Sequence, residues 1–267
     1  MIRTVVLGAA GRMGRTLVAE IQEDPELELA GAIEAPQSPF IGVDAGALAG
    51  GDPCGVKITA DIEEALKNAD CLIDFTAAAV TRHYAPIAAA KGVSLVIGST
   101  GLTDEDLQML RRLADDGARI VQSPNMSVGV NLLFALCEKV ATILGDGYDI
   151  EIVEMHHNQK KDAPSGTAEK LGQILAAARG LSYDEDVRHG RKGLVGARPK
   201  NEIGMHALRG GDVVGDHTVI FATEGERIEL THKASSRKTF AKGALRAARF
   251  LATAAPGKYD MRQVLGL

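Results

Sequence analysis

The 267-residue chain contains no tryptophan and only three cysteines. Without an indole, it has no sensitive intrinsic reporter of ligand binding. Cys54, Cys71 and Cys137 are widely spaced, odd in number and never paired as C-x-x-C, which supports neither a disulfide framework nor a thiolate zinc site. Cys71 and Cys137 lie in apolar runs and read as small core residues. There is also no excess of positive charge. Thirty Lys and Arg against 35 Asp and Glu leave a net charge of −5, which argues against general nucleic-acid binding but leaves room for a local basic pocket. No unbroken apolar run reaches the roughly 18 residues of a membrane span. The start, MIRTVVLGAAG, lacks the apolar core and cleavage site of a signal peptide. No internal repeat or low-complexity tract is visible. A composition of 45% hydrophobic and 24% charged residues fits a soluble globular protein. The expectation is a cytoplasmic enzyme with no nucleic-acid, membrane or metal partner.

What is present is alternation. Short β-rich apolar runs at 2–7, 27–34, 71–75, 93–97 and 119–121 alternate with helical patterns at 12–22, 62–67, 80–91 and 104–114. Such alternation predicts a parallel sheet with helices on both faces, an α/β fold. The pattern changes after Ser123-Pro124-Asn125. A long apolar helix at 130–144 leads to a strand at 149–156 and a helix at 167–179, followed by a Gly- and Arg-rich loop over 181–200. Runs at 203–208, 213–223 and 227–233 read as antiparallel strands, the last two joined by Glu224-Gly225-Glu226, and a helix over 239–252 follows.

Two sets of motifs carry chemistry. Gly8-Ala-Ala-Gly11-Arg12-Met13-Gly14 follows the first strand and opens the first helix. Glycines there permit a tight turn and close approach to a pyrophosphate, which the helix N-terminus favours. Glu34 ends the second strand about 20 residues on, where a carboxylate can grip ribose hydroxyls. It would repel a 2′-phosphate, and Ala35 offers no compensating charge, so NADH is favoured or used alongside NADPH. Gly98-Ser99-Thr100-Gly101 and Ser123-Pro124-Asn125-Met126 also follow strands, at the ends where open α/β sheets bind ligands.

The second set is EMHHNQKKDAPSGT, residues 154–167. His156 and His157 end a strand and so point to opposite faces, which argues against a two-histidine metal site. Lys160 stands where it can hold an anion. Ser165, Gly166 and Thr167 enter a helix, with N–H groups, hydroxyls and a helix dipole suited to a carboxylate. Asp162 reads as a turn and capping residue and Lys161 as a solvated charge. Arg209-Gly-Gly-Asp212 reads as a structural turn, and Arg191, Lys192, Arg198 and Lys200 as a basic loop that is solvated or meets another subunit.

Together with IDFT at 73–76, SPNMSVGVN at 123–131, LRGGDVVGDHTVIF at 208–221 and THKASSRKTFAKGALRAA at 231–248, these motifs resemble the 4-hydroxy-tetrahydrodipicolinate (dihydrodipicolinate) reductases of lysine and diaminopimelate biosynthesis. The resemblance covers nearly the whole chain. It implies a Rossmann-like dinucleotide-binding domain over 1–127 and a second, α+β domain on a mixed or antiparallel sheet over 128–236. That second domain would bind the substrate and form the tetramer interface, and residues 237–267 would return to the first. It also implies reduction of a cyclic dicarboxylate imine by NADH or NADPH. His156 would then be the proton donor and Lys160 the charge-stabilising group, with His157, Ser165, Gly166 and Thr167 on the substrate carboxylates. Gly8, Gly11, Arg12, Met13, Gly14, Glu34, Gly98, Ser99, Thr100 and the turn Ser123, Pro124, Asn125 and Met126 would contact the cofactor. Domain closure about residues 127 and 234–237 would bring nicotinamide and substrate together. Ala35 stands where some members place an arginine that favours NADPH, and Met126 where some place an aromatic side chain. A dehydrogenase of another small dicarboxylate or amino acid, such as aspartate, would share the nucleotide half without needing HH-x-x-K followed by S-G-T. A non-catalytic NADH-binding redox sensor would want a basic or helix-turn-helix module instead.

Overall fold

The computed structural model describes all 267 residues. In chain order the elements are β1 (Ile2–Leu7), α1 (Arg12–Gln22), β2 (Leu27–Ile33), α2 (Ala45–Ala49), β3 (Ile58–Thr59), α3 (Ile62–Ala65), β4 (Cys71–Asp74), α4 (Ala78–Ala90), β5 (Ser94–Ile97), α5 (Asp104–Asp115) and β6 (Arg119–Gln122). They continue as α6 (Val128–Leu144), β7 (Asp149–His156), α7 (Gly166–Arg179), α8 (Tyr183–Asp186), β8 (Val187–His189), β9 (Ile203–Arg209), β10 (Gly215–Thr223) and β11 (Glu226–Ala234). The chain closes with α9 (Lys238–Thr253), β12 (Gly257–Tyr259) and α10 (Met261–Leu265). Two units result, Met1–Val128 with Arg237–Leu267, and Gly129–Ser236.

In the first unit, Val5, Val6, Leu7, Leu72, Ile73, Leu95, Val96 and Ile97 are buried. Strands apolar on both faces belong at the centre of a parallel sheet covered on both sides. The sheet runs β12-β6-β5-β4-β1-β2-β3, and every pairing is parallel. Strand order reverses between β1 and β4, and in open α/β sheets the ligand crevice forms at such a switch point. Helix α9 carries Ala241, Gly243, Ala244, Ala247 and Ala248 on its buried side. Small residues let it lie against main chain, since a Cβ added at Gly243 would sit 1.7 Å from the Met126 carbonyl oxygen.

The second unit is a five-stranded sheet ordered β11-β10-β7-β9-β8. Its core joins Val130, Leu133, Phe134 and Cys137 of α6 and Leu171 and Leu175 of α7 to Ile150, Ile152, Val219 and Phe221 of the sheet. Two expectations need correcting. β9 pairs parallel to β7 and to β8, whereas β10 is antiparallel to both its neighbours, so the sheet is mixed. A parallel return needs a crossover, and α7, α8 and β8 supply it, so the expected loop over 181–200 contains a short helix and a strand. Its arginines are also engaged within the chain. Arg191 bonds Glu151 and Glu202, and Arg198 bonds Asp149 and Glu151.

The segment Val128–Gly147 is, by length and composition, apolar enough to cross a membrane, contrary to the expectation that no run reaches that length. Glu138 and Lys139 interrupt its run in the sequence, but a windowed average dilutes two charges. In the fold one side of α6 packs in the second unit's core, while Leu132, Leu136 and Ile143 remain exposed on it.

Candidate active site

In the first unit, β1 ends in a turn that only glycine can make. Gly8 has φ +74°, and a Cβ at Gly14 would lie 2.1 Å from the Gly8 carbonyl oxygen, so α1 sits directly on the turn. Gly11 caps α1 with no side-chain hydrogen bond, which leaves the first-turn N–H groups, beginning with Arg12 and Met13, to an external acceptor. Glu34 leans over this turn. Its Oε2 accepts from the Ala10 N–H at 2.9 Å and its Oε1 from the Ala35 N–H at 3.1 Å. Both oxygens keep lone pairs for hydroxyl donors. Arg12 is exposed, whereas Arg15 is pinned to the Ala10 carbonyl at 2.9 Å and lies over the Phe40 ring. A pyrophosphate and a diol ribose therefore fit the residues present.

The two following loops are held by internal contacts. Gly98 leaves room for the Phe75 ring, which an added Cβ would approach to 2.6 Å. Ser99 is buried and gives its hydroxyl to Asp74. Asp74, buried at the end of β4, also accepts from Thr76 N–H, Thr76 Oγ1 and Thr81 Oγ1. It thus ties the IDFT and GSTG loops together, a role the sequence did not reveal. Thr100 is exposed and Asn125 half-buried. Ser123 is buried, with its hydroxyl bonded to the Asn125 carbonyl at 2.8 Å, and Pro124 is exposed. The Met126 side chain is fully buried among core residues of the first unit. Of the turn expected to contact the cofactor, Met126 thus turns its side chain into the core.

In the second unit, β7 alternates strictly, with Ile150, Ile152, Glu154 and His156 on the buried face. Ladder register brings the rest. His217 of β10 lies opposite Glu154, and Arg209 of β9 opposite His156, and opposed residues share a face. Glu154 is fully buried. Its Oε1 accepts from Arg209 Nη2 at 2.9 Å and from the Ser165 N–H at 3.0 Å. Its Oε2 accepts from Arg209 Nη1 at 2.9 Å and lies 2.6 Å from His156 Nδ1. Burial works against its charge, but Arg209, His156 and the Ser165 N–H together hold its pKa below the usual carboxylate range. An ionised carboxylate only accepts, so His156 donates from Nδ1.

Burial also depresses the His156 pKa. Glu154 opposes this, while Lys160 and Arg209 add to it. His217, packed edge-on against His156 with ring centroids 5.2 Å apart, is pushed down to about 4 by burial first and His156 second. Arg209 is therefore more than the turn expected of it, and Glu154, Arg209 and His217 are the residues that motif reading missed. The available signal was periodicity: Glu154 falls on the same face as two isoleucines.

Around this pair stand the other candidates. Lys160 forms an ion pair with Asp162 at 3.0 Å, so Asp162 does more than shape the turn. His157 is half-buried just beyond the strand, its N–H bonded to the Val213 carbonyl. Ser165 is buried and committed. It gives its N–H to Glu154, and its hydroxyl accepts from the Ala168 N–H and meets His217 Nε2 at 3.2 Å. Its hydroxyl caps α7. Gly166 is exposed and Thr167 half-buried in the first turn of α7, where the helix itself supplies no acceptor for their N–H groups. A cavity of about 510 Å³ lined by Ala163, Pro164, His189, Gly190 and residues 205–208 lies in the same unit, but neither His156 nor Lys160 lines it.

The comparisons show the family. Residues 2–126 match the family model for the dihydrodipicolinate reductase N-terminus and residues 129–265 that for its C-terminus. The chain is 51% identical to the 4-hydroxy-tetrahydrodipicolinate reductase of Anaeromyxobacter dehalogenans (strain 2CP-C), over all of this chain and 98% of that one. It is also 51% identical to that of Syntrophotalea carbinolica, over the whole of both. Among solved structures it resembles a dipicolinate-bound dihydrodipicolinate reductase from Paenisporosarcina sp. TG-14, with a TM-score of 0.75, 26% identity and 97% of each chain covered. These relatives favour neither a dehydrogenase of another dicarboxylate nor a sensor. The chain is an oxidoreductase, and it belongs to the dihydrodipicolinate reductase family.

Proposed function

We propose that this chain reduces 4-hydroxy-tetrahydrodipicolinate to tetrahydrodipicolinate in lysine and diaminopimelate biosynthesis, with His156 as proton donor and Lys160 as the charge that stabilises the transition state. The observation that carries the reading is the Glu154–His156 contact of 2.6 Å on the face of β7 beside the α7 N-terminus. When bound at the Gly8–Gly14 turn, a dihydronicotinamide cofactor supplies a hydride. The chain's own residues do the rest. Lys160 and the first-turn N–H groups of Gly166 and Thr167 hold carboxylate oxygens, and His157 is close enough in sequence to add a contact. Once the conjugated imine accepts a hydride, electrons move toward the ring nitrogen, and the resulting enamine gains a proton at carbon. Protonated His156 can give that proton, with Glu154 offsetting its charge. The Lys160 ammonium lowers the cost of charge gathering on the substrate.

Glu34 favours a cofactor with a free ribose 2′-hydroxyl, so NADH is used at least as well as NADPH. Our reading of the chain as a homotetramer assembled through the second unit rests on the family resemblance, supported by Leu208 and Ile228 standing exposed on its sheet.

The test is oxidation of NADH and NADPH with substrate generated in place by the upstream synthase from pyruvate and aspartate semialdehyde. The wild type should turn over, with kcat/KM for NADH no lower than for NADPH. His156→Gln should lose about 10²–10³-fold in kcat. No turnover would remove the substrate assignment, a clear NADPH preference the role of Glu34, and an unaffected variant the role of His156.

A further inference from the structure

We infer that Glu154, clamped by Arg209 and the Ser165 N–H, is the positioning residue that fixes His156 with its proton on Nδ1 and leaves Nε2 as the nitrogen that exchanges protons with substrate. The inference deepens the reading of His156 as proton donor and rests on it. A carboxylate with four donors around two oxygens, all within 3.0 Å, has no freedom to rotate. Arg209 binds it through both terminal nitrogens, the planar fork that suits a carboxylate, and is itself held by the Leu208 and Asp162 carbonyls at 2.6 Å. The carboxylate is fully buried, so no water competes for the oxygen that His156 occupies.

The other nitrogen is left clear by design of the neighbouring strand. A Cβ added at Gly215 would lie 3.0 Å from His156 Nε2, so a side chain there would crowd that nitrogen. His217 fills the adjacent space, but its Nε2 meets the Ser165 hydroxyl, not His156. Every other charged group near the ring disfavours an imidazolium. Lys160, paired with Asp162, and Arg209 are cations that act against it. His217, followed in the ladder by His232, adds no negative charge. Glu154 is thus the one anion placed to let His156 carry a second proton. This is the division of labour in which a buried acid orients a catalytic imidazole without itself taking the proton.

Two measurements test the inference. Long-range proton–nitrogen NMR on the unliganded wild type should show the neutral His156 ring protonated at Nδ1; protonation at Nε2 would overturn the inference, whatever the kinetics. In Glu154→Gln, kcat should fall about 10²–10³-fold while the substrate KM changes less than about threefold. The alkaline limb of the kcat–pH profile should also move down by about one pH unit, as expected for an imidazolium deprived of its counter-charge. A merely structural Glu154 would lower kcat equally at every pH with the limb unmoved, and that result would sink the proposal. If Glu154→Gln does not fold, the tautomer measurement on the wild type still decides. Near wild-type kcat in His156→Gln would instead remove the proton-donor role and leave the tautomer result standing, so the two failures are distinguishable.

Discussion

The two units build their candidate sites in opposite ways. The first offers main chain. Gly11 caps α1 without a side chain, Gly8 and Gly14 let helix and turn touch, and Glu34 and Asp74 spend lone pairs on backbone and hydroxyl donors within the unit. The second offers side chains whose charge is expensive to bury. Glu154 is fully enclosed and survives as an anion only because Arg209, His156 and Ser165 surround it. A main-chain site tolerates many side chains but almost no change in shape, whereas a charged site tolerates changes of shape better than the loss of a partner. Mutations that distinguish shape from charge should therefore act oppositely in the two units.

The largest effect is expected from shape in the first unit. Gly14→Val puts a branched side chain where a single Cβ already lies 2.1 Å from the Gly8 carbonyl oxygen, so the turn cannot keep its form. NADH affinity should fall at least about 100-fold, the scale of 2.7 kcal/mol. With no tryptophan in the chain, the titration is best followed on NADH's own fluorescence. Unchanged affinity would mean that the turn is not the cofactor's cradle, and the contrast between the units would collapse.

Charge in the second unit comes next. Lys160→Ala removes an ammonium whose present partner is Asp162, 3.0 Å away, and which a dicarboxylate would have to share or displace. We expect kcat to fall about 10²–10³-fold with little change in thermal stability, because the exposed Asp162 can return to water. A variant with wild-type kcat would assign Lys160 to the turn alone.

The same contrast decides what the sequence could reveal. A main-chain site is written in glycine spacing, and the strand–turn–helix of residues 2–22 was readable at once. So was β7, whose alternation of buried and open positions is unbroken. The partners of Glu154 were not readable, because they arrive by pairing between strands distant in sequence. Arg209 meets His156 only if β9 runs parallel to β7, and three local antiparallel runs gave no hint of the crossover through α8 and β8. Nor were the internal contacts of Ser165 readable. Its S-G-T context suits a ligand, but the fold turns its hydroxyl inward to Ala168 and His217. Met126 sits in a motif yet faces the core, since a four-residue turn presents some side chains to each side.

The smallest expected effect concerns stability and bears on how the second unit keeps its buried charges in balance. His217 is 3% exposed and its pKa lies at about 4, lowered first by burial and then by His156. In the unfolded chain it titrates near the ordinary value of about 6.5. Between these two values the unfolded state binds more protons than the folded one, so stability falls as pH drops from 7 toward 4. The loss assigned to His217 is on the order of 2 kcal/mol by pH 5. His217→Gln removes that component. It should lower stability at pH 7.5 through the altered Ser165 contact, yet lose less between pH 7.5 and pH 5 than the wild type does. Urea midpoints at the two pH values give the comparison directly. His156 and His232, both also depressed by burial, still titrate in the variant, so the slope shrinks without vanishing. Equal slopes in both proteins would mean that His217 is not held neutral by its surroundings, and that Glu154 shares its negative charge more widely than with His156 and Arg209.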